Sequence, residues 1–316
     1  MRKQWAGWAV VAWMLCGPAT AQAYQVYLSP TGDDAAAGTQ AAPLRSLQGV
    51  LEKVAGGPAG EDVDVVVAPG TYSGQSVVWN YVGARSITFA PPTDADAMPV
   101  FDGQGGGTWF ALRGAKGKAT AVSFIGLHVR NYWMAIDLGS SNAAKDANSG
   151  NAIQQMYFER IGGIYGTGAE SYSYAAVRLQ NSSGNRIDGN RFEHVENTED
   201  RSGYIHALYL AHGSADNVVA GNAFTDVNGD AVRTRNRSDG TVVDGNTFVR
   251  AGKYAAFSDW FDAASGECPS QGGRFVDNHV GAGYFGTIPA TATTGADDAC
   301  GALELPRISE EDTVRD

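Results

Sequence analysis

A short phrase repeats at intervals of 32, 24 and 32 residues. It reads Gly189-Asn190-Arg191-Phe192, Gly221-Asn222-Ala223-Phe224, Gly245-Asn246-Thr247-Phe248, then a divergent Asp277-Asn278-His279-Val280. A unit this short cannot bury an apolar face alone and must stack on its neighbours. Its shortest interval is too short for a propeller blade or a paired-helix repeat, and suits one coil of three short strands and three turns. Coils stacked about 4.8 Å apart would bring identical residues into register. Asn190, Asn222 and Asn246 then form a ladder of turn amides, each satisfied by the next coil. The phenylalanines two residues later fill the interior. These asparagines are therefore read as structural, and the fold as an all-β parallel solenoid, a single-stranded β-helix.

Length and composition agree. The chain has 316 residues, 41 of them glycine, and a formal charge of −11. No Lys/Arg run points to nucleic acid. Residues 1–23 read as a secretory signal. Arg2 and Lys3 precede an apolar run from Trp5 to Cys16, Pro18 breaks it, and Ala21-Gln22-Ala23 is a cleavage motif. That run is too short to span a bilayer. The mature chain is thus expected to be secreted or periplasmic, monomeric, without a membrane segment, and, after loss of Arg2 and Lys3, at −13. Cys268 and Cys300 survive cleavage, and an isolated pair in an oxidising compartment reads as a disulfide.

Ahead of the repeat, Tyr24 to Leu28 reads as a strand. Residues 46–55 read as one amphipathic helix, apolar at 47, 50, 51 and 54, with Ser46 as N-cap. Such a helix would cap the open first coil. The opening "YLSPTGDD…APLRSLQGVLEKV…VDVVVAPGTY" resembles that of secreted right-handed β-helix proteins of the pectin-lyase-like superfamily, family-nine polysaccharide lyases among them. The GN-x-F coils resemble the superfamily's generic repeat. The resemblance implies a right-handed parallel β-helix with an N-terminal α-helical cap, read here over residues 24–302; residues 303–316 read as a charged C-terminal tail, beginning with a short closing segment. It implies carbohydrate as substrate or ligand, but no single chemistry, because the superfamily includes lyases, glycosidases, epimerases and non-catalytic adhesins.

The period also predicts what points outward. Intervals above 30 residues place extra loops near 140–150, 163–174, 196–204 and 264–273, where grooves are usually bordered. The strands preceding each phrase align as Ala135 to Leu138, Ala176 to Leu179, Ala207 to Leu210, Ala231 to Thr234 and Ala256 to Asp259. Alternation sends the third member of each outward. One outward column is then Asp137, Arg178, Tyr209, Arg233 and Ser258. The next contains Gln180, Arg235 and Trp260, with His206 and Asp230 equivalent at one end of the strand and His212 at the other. Arginines bind carboxylates bidentately and aromatic rings offer flat surfaces to sugars. A solvated polar ladder remains the plainer reading of this face.

A uronate-cleaving β-elimination needs a cation on the carboxylate, a base at C5 and an acid at O4. Arg178 and Arg233 suit the first role. His206 suits the second, and Tyr209 the third, or both proton roles if the arginines lower its pKa. Lys253 is a second base candidate, because lyases of the resembled family use a lysine beside calcium. Calcium is the one cofactor left open, though no family-nine cluster of aspartates is matched. Asp137, Gln180, His212, Asp230, Arg235 and Trp260 are the expected substrate contacts. The leading function is a lyase acting on an anionic, uronate-containing polysaccharide. A glycoside hydrolase or epimerase in the same groove stays open, as does a non-catalytic carbohydrate-binding or cell-surface protein.

Overall fold

The computed structural model describes residues 23–114, 121–142, 148–295 and 300–316. The expected signal segment, up to residue 22, lies outside the described residues. The chain winds as a right-handed parallel β-helix, each coil giving one strand to each of three faces. The first face is a ten-stranded parallel ladder running from Tyr24–Leu28 to Ile308–Glu311. The second carries the strands that follow each Asn, including Arg191–Val195, Ala223–Val227 and Thr247–Ala251. The third carries Ala175–Gln180, His206–Ala211, Val232–Arg235 and Phe257–Trp260. Early in the chain the second and third faces are one continuous strand. His128–Gly139 pairs by its first half with Tyr157–Ile161 and by its second with Ala175–Gln180. In later coils the corner between these faces opens into loops, and the candidate site forms there.

The repeated phrase explains how the coils lock. Gly189, Gly221 and Gly245 turn the corner at φ between 61° and 64°. A side chain in that left-handed conformation costs roughly 1–2 kcal/mol. The Asn amides then stack. The Asn222 Oδ1 accepts from the Asn190 backbone N–H and side-chain Nδ2, both at 2.9 Å. Its own Nδ2 donates to Asn246 Oδ1 and to the Ile187 carbonyl, both at 3.0 Å. Inside, Phe158, Phe192, Phe224 and Phe248 stack with ring centroids 4.8, 5.1 and 4.9 Å apart. Replacing Asn222 by Ala orphans the buried Asn190 N–H and the Ile187 carbonyl. Unfolding stability should fall by about 2–4 kcal/mol, at ~1–3 per unsatisfied buried group. Urea titration checks this, and an unchanged midpoint would remove the ladder from the stability account.

The cap helix spans Leu47–Ala55. The Ser46 hydroxyl accepts from the Gly49 N–H at 3.0 Å, and Leu47, Val50, Leu51 and Val54 are buried against the first coil. The far end differs from the expected tail. Ile308–Glu311 pairs with Gly273–Val276, and Val314–Arg315 with His279–Val280, so the C-terminal residues build part of a further coil. Arg307 explains why they dock: its Nε donates at 2.8 Å to the buried Asp259, one coil inward. The Cys268–Cys300 disulfide, with Cα atoms 5.7 Å apart, ties this segment to the 264–273 loop. Among the described residues no helix is long and apolar enough to cross a membrane.

Candidate active site

The strand registers are those the repeat predicts. Arg178 lies between Asp137 and Tyr209, Tyr209 between Arg178 and Arg233, and Arg233 opposite Ser258. In the next column Arg235 lies between Ala211 and Trp260. Register alone, however, does not make a free cationic face. Arg178 is bound bidentately to Asp137, Nε to Oδ1 and Nη2 to Oδ2 at 2.9 Å each, and Arg113 pairs with the same carboxylate. Burial would raise the Asp137 carboxyl, but Arg178 and Arg113 hold it below the usual range. Opposite charges one coil apart have neutralised each other, so neither Asp137 nor Arg178 borders the cleft. Gln180 and His212 also stand outside it. His212 sits at a corner with φ 54°, stacked between Asn181 and Asn236, which share that left-handed turn.

The structure does bring together His206, Tyr209, Arg233, Arg235, Lys253 and Trp260, around a cleft of about 670 Å³. Its walls were not legible in the repeat. Tyr172 and Tyr174 come from the 163–174 loop, Tyr204 from the turn of 3-10 helix Glu199–Tyr204, and Tyr254 from the corner before Phe257–Trp260. Tyr172 packs on Tyr204 at 4.7 Å and edge-on to Tyr174 at 5.4 Å. Arg178 lies behind this wall, 5.6 Å from the Tyr174 ring centroid. Two of the expected extra loops thus supply an aromatic lining, whose residues no ladder repeats.

Asp230 organises the floor rather than meeting a ligand. It is buried, and its Oδ1 accepts from the backbone N–H groups of Lys253, Tyr254 and Ala255 at 3.2, 2.7 and 3.1 Å. Its Oδ2 accepts from Ser258 Oγ at 2.6 Å and Arg233 Nη2 at 2.5 Å. Burial alone would raise this carboxyl, yet Arg233, Ser258 and the Tyr254 amide keep it low and ionised. Arg233 is further fixed by Ser258 Oγ, 3.0 Å from its Nε. Arg235 is gripped by Glu267 at 2.6 Å and lies 4.4 Å over the Trp260 ring.

His206 and Tyr209 are neighbours on one strand, ring centroids 5.1 Å apart. The His206 Nδ1 bonds the Asp230 backbone carbonyl at 2.9 Å. A carbonyl can only accept, so Nδ1 carries the proton and Nε2 keeps the lone pair. Burial first, and Arg233 second, pull this imidazole down to about 3, so it is neutral at ordinary pH. The Tyr209 oxygen accepts from Arg235 Nη1 at 3.0 Å, which leaves its own O–H available to donate. Burial raises this phenol above its ordinary value despite Arg235 and Arg233, so Tyr209 keeps its proton. Lys253 reaches across the cleft mouth to Ser202 Oγ, 2.9 Å away.

The His206 shift has a measurable consequence. In the folded chain it titrates near 3, against 6.5 for an ordinary histidine. Between those values the unfolded chain binds the extra proton, so stability falls as pH drops through that window. The steepest contribution is about 1.4 kcal/mol per pH unit. His206→Asn keeps a donor for the Asp230 carbonyl and removes the titration. Denaturation midpoints taken at about pH 7 and about pH 5 should converge in the variant and diverge in the wild type; equal losses in both would contradict the assignment.

Asp200 borders the cleft and is exposed, whereas the other carboxylates near it are already committed. Asp259 is bound by Arg307, Thr234 and the Ser270 N–H, and Asp262 caps the turn at Ala264 and Ser265. Glu267 holds Arg235. Among the described residues no three His, Cys, Asp or Glu side chains cluster as a metal site needs. The calcium ligand set raised by the sequence resemblance therefore has no counterpart in these donors.

No protein-family model matches the chain, and no curated protein matches it. Solved structures do. A rhamnogalacturonan lyase superposes with a TM-score of 0.58 at 14% identity, covering 82% of this chain and 68% of its own. An alginate lyase from Paenibacillus sp. str. FPU-7 gives 0.55 at 14%, covering 85% and 92%. A pectate lyase gives 0.53 at 13%, covering 89% and 82%. At such identities the likeness is one of fold: this chain shares its backbone architecture with β-helix polysaccharide lyases.

Proposed function

We propose that the protein is an exported polysaccharide lyase that cleaves a uronate-containing chain by β-elimination. The observation that carries this reading is the pairing, in one aromatic-walled cleft, of a neutral His206 with a protonated Tyr209 beside Arg233. A uronate carboxylate would sit against Arg233 and Lys253, its ring against the tyrosines and Trp260. His206 Nε2 takes the C5 proton, the C5–H electrons form the C4–C5 double bond, the C4–O4 bond breaks, and O4 takes the Tyr209 proton. Arg233 stabilises the enolate-like charge and Arg235 the resulting phenolate. Burial is the larger cause of the low basicity of His206 and Arg233 the smaller, and a carboxylate against Arg233 offsets the smaller one.

The hydrolase alternative needs two carboxyl groups about 6.5–9.5 Å apart, or closer for retention. Asp230 and Asp259 are the pair the sequence offers, and both are buried with their oxygens occupied by donors. The disulfide supports export, since such bonds persist in oxidising compartments. A panel of polyuronates and mixed uronate polymers, assayed with calcium and with a chelator, separates the readings. Elimination gives an unsaturated uronate that absorbs in the ultraviolet. Reducing ends without that absorbance would overturn it.

A further inference from the structure

The cleft continues past Lys253. A second hollow of about 660 Å³ adjoins it, and Asp200, Lys253 and Tyr254 border both. The second hollow adds Glu199, Ser202 and Phe285. Phe285 is 49% and Tyr254 52% exposed, two large rings left in solvent. They flank one amine, since Lys253 Nζ is 5.4 Å from the Tyr254 centroid and 6.0 Å from that of Phe285. Exposed flat rings at a groove offer apolar area to a ligand with a matching face, as the C–H face of a pyranose has.

The balance of charge shifts along the groove. The first hollow is lined by Arg233, Arg235 and Lys253 with Asp200 alone against them, the second by Glu199 and Asp200 with Lys253 alone against them. Carboxylates there accept hydrogen bonds from sugar hydroxyls and repel a uronate carboxylate. We propose that the second hollow is a subsite for an uncharged sugar next to the uronate held in the cleft. The substrate class is then a heteropolymer in which uronates alternate with neutral sugars, rather than a continuous polyuronate. Only the uronate assignment rests on the lyase reading; the neutral subsite rests on the second hollow.

The test compares tetrasaccharides that alternate glucuronate or galacturonate with a neutral sugar against all-uronate tetrasaccharides. Binding is read by calorimetry in a Tyr209→Phe background, in which cleavage is slowed, with the chains checked for integrity afterwards. An alternating tetrasaccharide should bind about tenfold more tightly than its all-uronate counterpart, a difference in reach of one stacked ring and one relieved like-charge contact. Phe285→Ala should remove most of that advantage, and Glu199→Gln should improve binding of the all-uronate chain alone. Equal binding of both classes, indifference to Phe285→Ala, or failure of every alternating chain to bind would overturn the subsite. Product formation by the wild type is recorded separately. If no unsaturated product forms while Phe285-dependent binding persists, the lyase reading falls and the neutral-sugar subsite stands.

Discussion

Tyr209→Phe is expected to lower turnover by about a hundredfold to ten-thousandfold, the usual contribution of a positioned acid or base. The substitution deletes one oxygen and little else. Arg235 keeps Glu267 and the face of Trp260, so the cleft retains its shape. KM should therefore change little, and thermal stability should stay close to wild type, because among the described residues the phenol oxygen's one hydrogen bond is the one it accepts from Arg235. Release of unsaturated uronate under saturating substrate measures the effect. Activity above a tenth of wild type would remove Tyr209 from the proton-transfer step.

Asp230→Ala should produce the largest loss of stability, about 3–5 kcal/mol, the cost of removing one partner from a buried ion pair. The Asp230 carboxylate gathers three consecutive N–H groups, the Ser258 hydroxyl and Arg233 in one place. Its removal leaves Arg233 uncompensated and frees the 253–255 corner that carries Lys253 and Tyr254. Urea denaturation checks the magnitude, and wild-type stability would contradict the role of this residue as the keystone of the floor. The same pairing changes the use of Arg233→Ala. From sequence, Arg233 looks like an outward cation that could be deleted without touching the fold. In the structure its deletion also unpairs Asp230, so lost activity in that variant would not separate chemistry from stability.

The repeat was an accurate ruler for register, and poor evidence on charge state. Asp137 and Arg178 were read correctly into one outward column, but adjacent places on parallel strands are where opposite charges pair, and Arg113 lay outside the repeat. The second set of ladders was within reach. Ser182 and Asn185, Ser214 and Asn217, and Ser238 and Thr241 recur with a spacing of three; Asn185, Ser214, Asn217 and Ser238 accept from backbone N–H groups of the coil before, as Asn217 Oδ1 does from the Asn185 N–H at 3.0 Å, while the Thr241 hydroxyl donates to the Ser238 carbonyl. The tyrosine wall was not within reach, because an inserted loop is copied nowhere and its side chains follow no period. A short closing segment was expected after Cys300, but not its extent, because its strands are short, charged and exposed, and the buried Arg307–Asp259 pair that helps to dock them follows no period.

The most direct measurement is digestion of a susceptible polymer in water enriched in heavy oxygen, followed by mass analysis of the new ends. Elimination breaks the C4–O4 bond without consuming water. The expected products carry no heavy oxygen at the cleaved bond, and each cleavage yields one unsaturated uronate. Incorporation of one heavy oxygen per cleavage, with saturated ends, would show hydrolysis and contradict the roles assigned to His206 and Tyr209.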